Sequence, residues 1–208
     1  MVSGQKLEDY FRQHIFAPLK MDDTFYNVPE LKGPRLVAQQ QRAGERMDGA
    51  IELQKPQLGL NIPAPIGGGG LASTADDYGR FMRMLLNGGV LDGVRVLKAE
   101  TVALMGQNNI GDLTVGKMTT SIAWATNDVD LYPDIVKKWG LSFLNNTAKT
   151  PEGRSAGSLA WAGLANTYFW IDPSKNIAGV ILMQLLPFAD PQALQTFAEF
   201  ESRLYKVA

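Results

Sequence analysis

Ser3-Gly4-Gln5-Lys6 sets a hydroxyl and an amine three residues apart, the spacing at which one helical turn can place a serine nucleophile beside a lysine base. Such a pair works when the helix is buried and desolvation lowers the amine pKa enough for it to accept the hydroxyl proton. Here no strand precedes the helix, and Ser3 is explained as its N-cap. His14 is the only histidine, so a Ser-His-Asp mechanism would have to use it. It falls mid-helix in a chain with no Gly-x-Ser-x-Gly elbow, and reads as a surface or partly buried helix residue. With no second His and no Cys, a metal site is not expected. Gly67-Gly68-Gly69-Gly70 lacks both the Gly-Lys-Ser/Thr of a phosphate loop and the Rossmann glycine spacing. It reads as sharp turns at positive φ leading into a helix at Thr74, and no cofactor is expected.

The elements that must position any site can be read from periodicity. Leu7, Tyr10, Phe11 and Ile15 recur at helical spacing over residues 4–16, with Pro18 ending the pattern. Residues 20–66 lack sustained periodicity and are rich in proline, which predicts a long covering loop with short strands. Ser73 or Thr74 caps a second helix, with Asp76 or Asp77 reaching back to the cap. Its buried face carries Tyr78, Phe81, Met82 and Leu85, and Gly88-Gly89 stops it. A short helix follows at 98–107. From 119 onward the period changes to two, predicting strands at 120–126, 138–145, 156–163, 166–172 and 177–186. Asp172-Pro173-Ser174-Lys175-Asn176 turns the last pair. A C-terminal helix runs from Pro191 to about Lys206, with Leu194, Phe197, Phe200, Leu204 and Val207 facing inward. This is an α+β arrangement, an antiparallel sheet with helices before and after it in the chain and the C-terminal helix packed on it: 1–118 holds the first helices and covering loops and 119–208 the sheet with its helix, sharing one core.

Composition sets outer limits. The 208 residues hold 45% hydrophobic and 20% charged residues, ordinary globular proportions. A net charge of −1 leaves no electrostatic footprint for nucleic acid. No apolar run reaches the roughly 18 residues of a membrane span. Met1-Val2-Ser3-Gly4 does not resemble a signal peptide, and the absence of cysteine excludes disulfides while leaving the compartment open.

Two separated blocks carry a family resemblance: Gly67 to Tyr78, and Ser155 to Pro187 with Trp161-Ala162-Gly163-Leu164 followed by Ala165 to Pro173 and the apolar run Ile177 to Leu186. Together they resemble the C-terminal part of serine hydrolases of the β-lactamase and penicillin-binding-protein superfamily, in particular the esterase-like relatives of class C β-lactamases. The resemblance implies a nucleophile in a Ser-x-x-Lys motif and a second motif with a Tyr, and this chain is expected to begin after both. In that family a Ser-Gly-Gln like that at Ser3 follows the second motif and is not catalytic. Lys149-Thr150-Pro151 and Ser174-Lys175-Asn176 imitate two other family motifs but lie in turn-rich, proline-containing segments and are expected to be loops.

By position, Trp161, Ala162 and Gly163 match the strand that lines the family's substrate site, where Lys-Thr-Gly or, in esterases, Trp or His with Gly two residues on is found. The resemblance assigns Leu164 the backbone N–H of the oxyanion hole, a role that tolerates any non-proline side chain. Trp161 is either a wall of that site or a strand aromatic packed in a core. An indole in place of a lysine offers one N–H and an apolar face, which points to a neutral ester or lactone, with a side activity on β-lactams left open. Two readings follow. The chain is the C-terminal portion of a serine ester hydrolase acting through an acyl-enzyme, inactive alone; or it is a non-catalytic module, truncated product or pseudoenzyme that binds a partner or small ligand. DNA upstream of Met1 would discriminate: an in-frame strand and helix with Ser-x-x-Lys favours the first. The continuously apolar Ile177 to Leu186 predicts a central strand covered on both faces. Its second edge is expected to pair with the missing N-terminal segment or a second copy of the chain.

Overall fold

The computed structural model describes residues 3–42, 51–52 and 65–207; Pro56 and Pro63, with residues 43–50 and 53–64 of the expected loop, lie outside the described residues. The chain opens with α1 (Leu7–Phe11), continues through a π-helical stretch Arg12–Phe16 and ends in α2 (Ala17–Leu19). Lys6 is the N-cap and makes no side-chain cap bond, while Ser3 accepts only from the Gln5 N–H. The expected Ser3 cap is therefore corrected. Pro18 sits inside the final turn, and the helix stops where Lys20 turns left-handed at φ 53°. Strands β1 (Gln40–Gln41) and β2 (Ile51–Glu52) follow.

Helix α3 (Ala75–Leu86) is capped by Thr74, whose hydroxyl accepts from Asp77 N–H at 3.2 Å. Asp77 does not reach back to the cap. Its buried carboxylate accepts from Asp23 N–H and Thr24 Oγ1, both at 2.8 Å, and so fixes the turn after α2 onto α3. Beyond α3 come β3 (Val90–Leu91), β4 (Val94–Arg95) and α4 (Ala99–Gly106).

The main sheet is an antiparallel meander of five strands in chain order: β5 (Lys137–Trp139), β6 (Leu144–Asn146), β7 (Leu159–Gly163), β8 (Thr167–Asp172) and β9 (Ile177–Ile181). Register sorts the side chains by face. Leu159, Trp161, Phe169 and Val180 share one face, and Phe169, Val180 and Leu159 pack in a cluster with Phe16, Leu19, Met82, Met84 and Leu85. That cluster joins the two halves of the chain in one core. Ala160, Tyr168, Trp170 and Gly179 turn the other way, toward α5 (Pro191–Val207), where Phe197 and Phe200 meet the Trp170 ring. Trp170 is 0% exposed, and a Cβ at Gly179 would lie 2.2 Å from its ring, so only glycine fits opposite it.

Four expectations change. Residues 120–126 form a knotted loop instead of a strand, because Thr120 Oγ1 accepts from Ile122 N–H and Asp128 accepts from Thr120 N–H, bonds that displace a ladder. The single strand at 138–145 is the hairpin β5–β6, reversed where Gly140 N–H bonds Phe143 carbonyl. The run 177–186 breaks after Ile181, since its partner β8 begins at Thr167; Leu185–Leu186 form β10, which pairs in parallel with β1. Val207 is 85% exposed, not inward-facing. In this sheet β9 is an edge strand, hydrogen-bonded to β8 alone among the described residues, although residues on both its faces are covered.

Beneath α5 lies a buried polar knot. Arg154 Nε donates to Glu201 Oε1 at 2.8 Å, Thr150 Oγ1 donates to the same oxygen, and Tyr132 OH donates to Oε2. Burial pushes the Glu201 carboxyl above its ordinary value despite Arg154 beside it, so the pair fixes geometry more than it stabilises. Arg154→Met, which strands the Glu201 charge, is expected to cost about 3–5 kcal/mol in urea denaturation. Arg154→Met with Glu201→Leu should recover most of that loss, and a double variant no more stable than the single would show that the pair is a net stabiliser.

Candidate active site

Of the expected site residues, Trp161 and Gly163 share one face of β7 and Leu164 follows in the turn to β8, whereas Ala162 pairs with Tyr168 and packs in the cluster under α5. Trp161 stands opposite Phe169, and its indole meets Trp139 edge-on with ring centroids 4.5 Å apart. Gly163 ends the strand opposite Thr167, where an added Cβ would lie 2.2 Å from Thr167 Oγ1. Leu164 then enters the turn 53% exposed, and no backbone hydrogen bond of the described residues uses its N–H. An N–H left without a backbone partner at a strand end can donate to an oxygen that gains negative charge.

Sequence reasoning missed what holds this turn. Asn166 is fully buried at φ 58°, a conformation asparagine tolerates better than most residues. Its Nδ2 donates to the carbonyls of Leu185 and Pro187, both at 2.8 Å, and its Oδ1 accepts from Tyr168 OH and Asp190 N–H. Asp190 caps α5 by accepting from Gln192 and Ala193 N–H, and its carboxylate takes the Arg42 guanidinium in a two-point grip, with Nη2 to Oδ1 at 2.6 Å. Burial would raise the Asp190 pKa, but Arg42 and those N–H groups hold it below its ordinary value. The sequence signal was slight: an Asn before a strand, and an Asp-Pro at a helix start.

Next to this knot, the 118–129 loop closes on itself through paired Met118 and Val129 backbone bonds. It is sewn to Phe188 by Asn127 N–H and by the Ala125 carbonyl. It presents Trp124, 67% exposed, whose carbonyl accepts from Gln41 Nε2.

The other sequence motifs are not assembled into a site. Ser3 and Lys6 are exposed and unpaired with each other. His14 is exposed and packs on the Tyr10 ring. Thr150 is buried in the Glu201 knot, and Ser174-Lys175-Asn176 forms the β8–β9 turn under the Asp172 carboxylate. Of the four glycines, only Gly70 has positive φ, at 93°, so the expected run of left-handed turns is one such residue. Among the described residues no cluster of His, Cys, Asp or Glu could hold a metal ion.

A family model described as Beta-lactamase matches residues 1–202. The chain belongs to the beta-lactamase family. A putative D-alanyl-D-alanine carboxypeptidase of Escherichia coli K12 is 27% identical over 208 residues, covering 92% of this chain and 43% of that protein. Two solved structures share the fold. Unliganded simvastatin synthase from Aspergillus terreus has a TM-score of 0.76 at 23% identity, over 98% of this chain and 50% of that one. EstCE1, a hydrolase with promiscuous acyltransferase activity, has a TM-score of 0.67 at 21% identity, over 98% and 51%. The chain thus spans about half the length, or less, of the relatives it matches.

Gly163→Ala tests how tightly the turn is built. The β-branched Thr167 has little χ1 freedom to move aside, so the variant is expected to lose about 1–3 kcal/mol by thermal denaturation. Gly163→Ala with Thr167→Ala should restore stability, and an unchanged Gly163→Ala protein would show that the turn has slack.

Proposed function

We propose that this chain carries the oxyanion-side wall of a serine hydrolase or acyltransferase that works through an acyl-enzyme on neutral esters or lactones. The carrying observation is the open Leu164 N–H beside Trp161, where a lysine would favour a substrate carboxylate. Arg42, which the Asp190–Asn166 knot brings toward this turn, is held by Asp190. The hydrolase and acyltransferase chemistry in EstCE1's name supports the reading.

In this mechanism a Ser-x-x-Lys segment outside the chain supplies the nucleophile. The serine oxygen bonds to the ester carbonyl carbon as its proton passes to the lysine amine, and the carbonyl oxygen, now negative, is met by Leu164 N–H. Collapse of the adduct breaks the ester C–O bond and returns the proton to the leaving alcohol. Water, or a second alcohol, then repeats the sequence on the acyl-serine, giving hydrolysis or acyl transfer. Trp161, which stands edge-on to Trp139, forms the acyl wall. The partner for the open β9 edge is a strand of that outside segment or of a second copy.

Alone, the chain is expected to turn over neither p-nitrophenyl acetate nor nitrocefin and to take no fluorophosphonate label, since described Ser3 and Lys6 form no nucleophile–base pair. Stoichiometric label on Ser3 would overturn that assignment. A soluble single-chain monomer in which every amide of 177–181 exchanges slowly would overturn the open β9 edge. In a longer protein that carries this chain with its Ser-x-x-Lys segment, Trp161→Ala should lower kcat/KM for an ester about 10- to 100-fold, the scale of 1.4–2.7 kcal/mol of lost transition-state contact, with little change in Tm. A fall of several degrees in Tm with unchanged kinetics would make Trp161 a core residue instead.

A further inference from the structure

Trp161 lies beyond the last rung that β6 offers. The β6–β7 ladder pairs Asn145 with Leu159 and Leu144 with Ala160 and stops there, whereas β7 runs on through Trp161 to Gly163. On the other side Trp161 stands opposite Phe169 of β8. A half-buried indole paired on one side only is free to change rotamer unless another group blocks it. The block comes from β5. The Trp139 indole meets Trp161 with ring centroids 4.5 Å apart and planes at 89°, the edge-to-face arrangement that the ring quadrupoles favour.

Trp139 is itself held. It pairs with Leu144 at the end of the β5–β6 ladder, and its carbonyl accepts from Asn109 N–H at 2.9 Å. The next residue, Gly140, passes so close to the end of α4 that an added Cβ would lie 2.1 Å from the Met105 carbonyl oxygen, and Leu141 N–H donates to that same oxygen at 3.1 Å. The hairpin turn is fastened to α4, and the Trp139 backbone with it. A fixed backbone and a side chain of two torsions leave this ring few ways to yield.

We propose that Trp139 is a positioning residue for ester recognition: acting through Trp161, it fixes the orientation of the indole that the acyl group meets. The inference rests on the reading of Trp161 as the acyl wall. An acyl group broad enough to lie across the indole, such as benzoyl, then depends on that orientation more than acetyl does.

Two measurements test this. In the chain labelled with fluorotryptophan, the ¹⁹F signal that Trp161→Ala removes is expected to be single and sharp, to stay so in Trp139→Phe, which keeps an aromatic edge, and to broaden or split in Trp139→Leu and Trp139→Met, which keep apolar bulk without a ring. In a longer protein that carries this chain with its Ser-x-x-Lys segment, Trp139→Leu and Trp139→Met should lower kcat/KM for p-nitrophenyl benzoate about two- to tenfold, the scale of one aromatic pair, with a smaller loss for the acetate. Trp139→Phe should recover most of the rate, and in a Trp161→Ala background the changes at 139 should have no further effect. A sharp Trp161 signal in both aliphatic variants, equal losses for benzoate and acetate, or losses that persist without Trp161 would overturn the positioning role. Full benzoate activity of Trp161→Ala alongside the expected ¹⁹F result would instead overturn the acyl-wall reading, and with it the role in ester recognition, while the ring contact stands.

Discussion

Asn166 lies between β7 and β8 with its amide fully enclosed, and both ends of that amide are used. Its Nδ2 takes the carbonyls of Leu185 and Pro187, so the chain leaving β9 cannot continue along β8 and is drawn across the β7–β8 turn. Once there, Gln184 and Leu186 carbonyls accept from Gln40 and Arg42 N–H, which places β1 against β10. Its Oδ1 takes Asp190 N–H, so the first residue of the α5 cap is set by the same amide. Burying an amide is unfavourable unless its polar atoms are bonded, and here both are, which makes the arrangement single-valued. The position of Leu164 follows two residues earlier in the same turn.

Two buried ion pairs flank α5 and act differently. Arg42–Asp190 joins the loop carrying β1 to the helix start, and at Asp190 the guanidinium and the helix N–H groups outweigh burial. At Glu201 burial outweighs Arg154. The first pair therefore contributes stability as a charge, and the second specifies how the 150–154 turn and Tyr132 sit under the helix. Each pair engages its cation inside the fold.

The hydrophobic pattern makes the skeleton legible in the sequence. The α3 cap at Thr74, the β8–β9 turn under Asp172, the span of α5 and the position of Trp161–Gly163 at a strand end all follow from local signals, because each is decided by neighbours in sequence. Strand limits were harder. Period two over 120–126 was mimicked by a loop whose Thr and Asp side chains bond its own backbone, and the length of the apolar run at 177–186 concealed that its partner strand is shorter. The fastening of the site was not legible at all. Asn166, Asp190 and Arg42 meet across 148 residues of chain, and no local propensity encodes a bond at that separation.

An aromatic on a loop can be exposed because nothing fixes it or because something holds it out, and Trp124 is of the second kind. The segment around it is closed by Met118 and Val129, bonded to Phe188, and anchored to Gln41 through its own carbonyl. Phe188 follows the Pro187 whose carbonyl Asn166 grips, so the indole is referenced to the same turn that presents Leu164. A loop held this way cannot fold its tryptophan inward without breaking bonds that also fix the Leu164 turn. Rigid aromatic surface costs little entropy when it meets a guest, which is why such side chains are effective contact points. The fold therefore holds the Leu164 turn and the exposed Trp124 in one bonded frame, so that neither moves without the other.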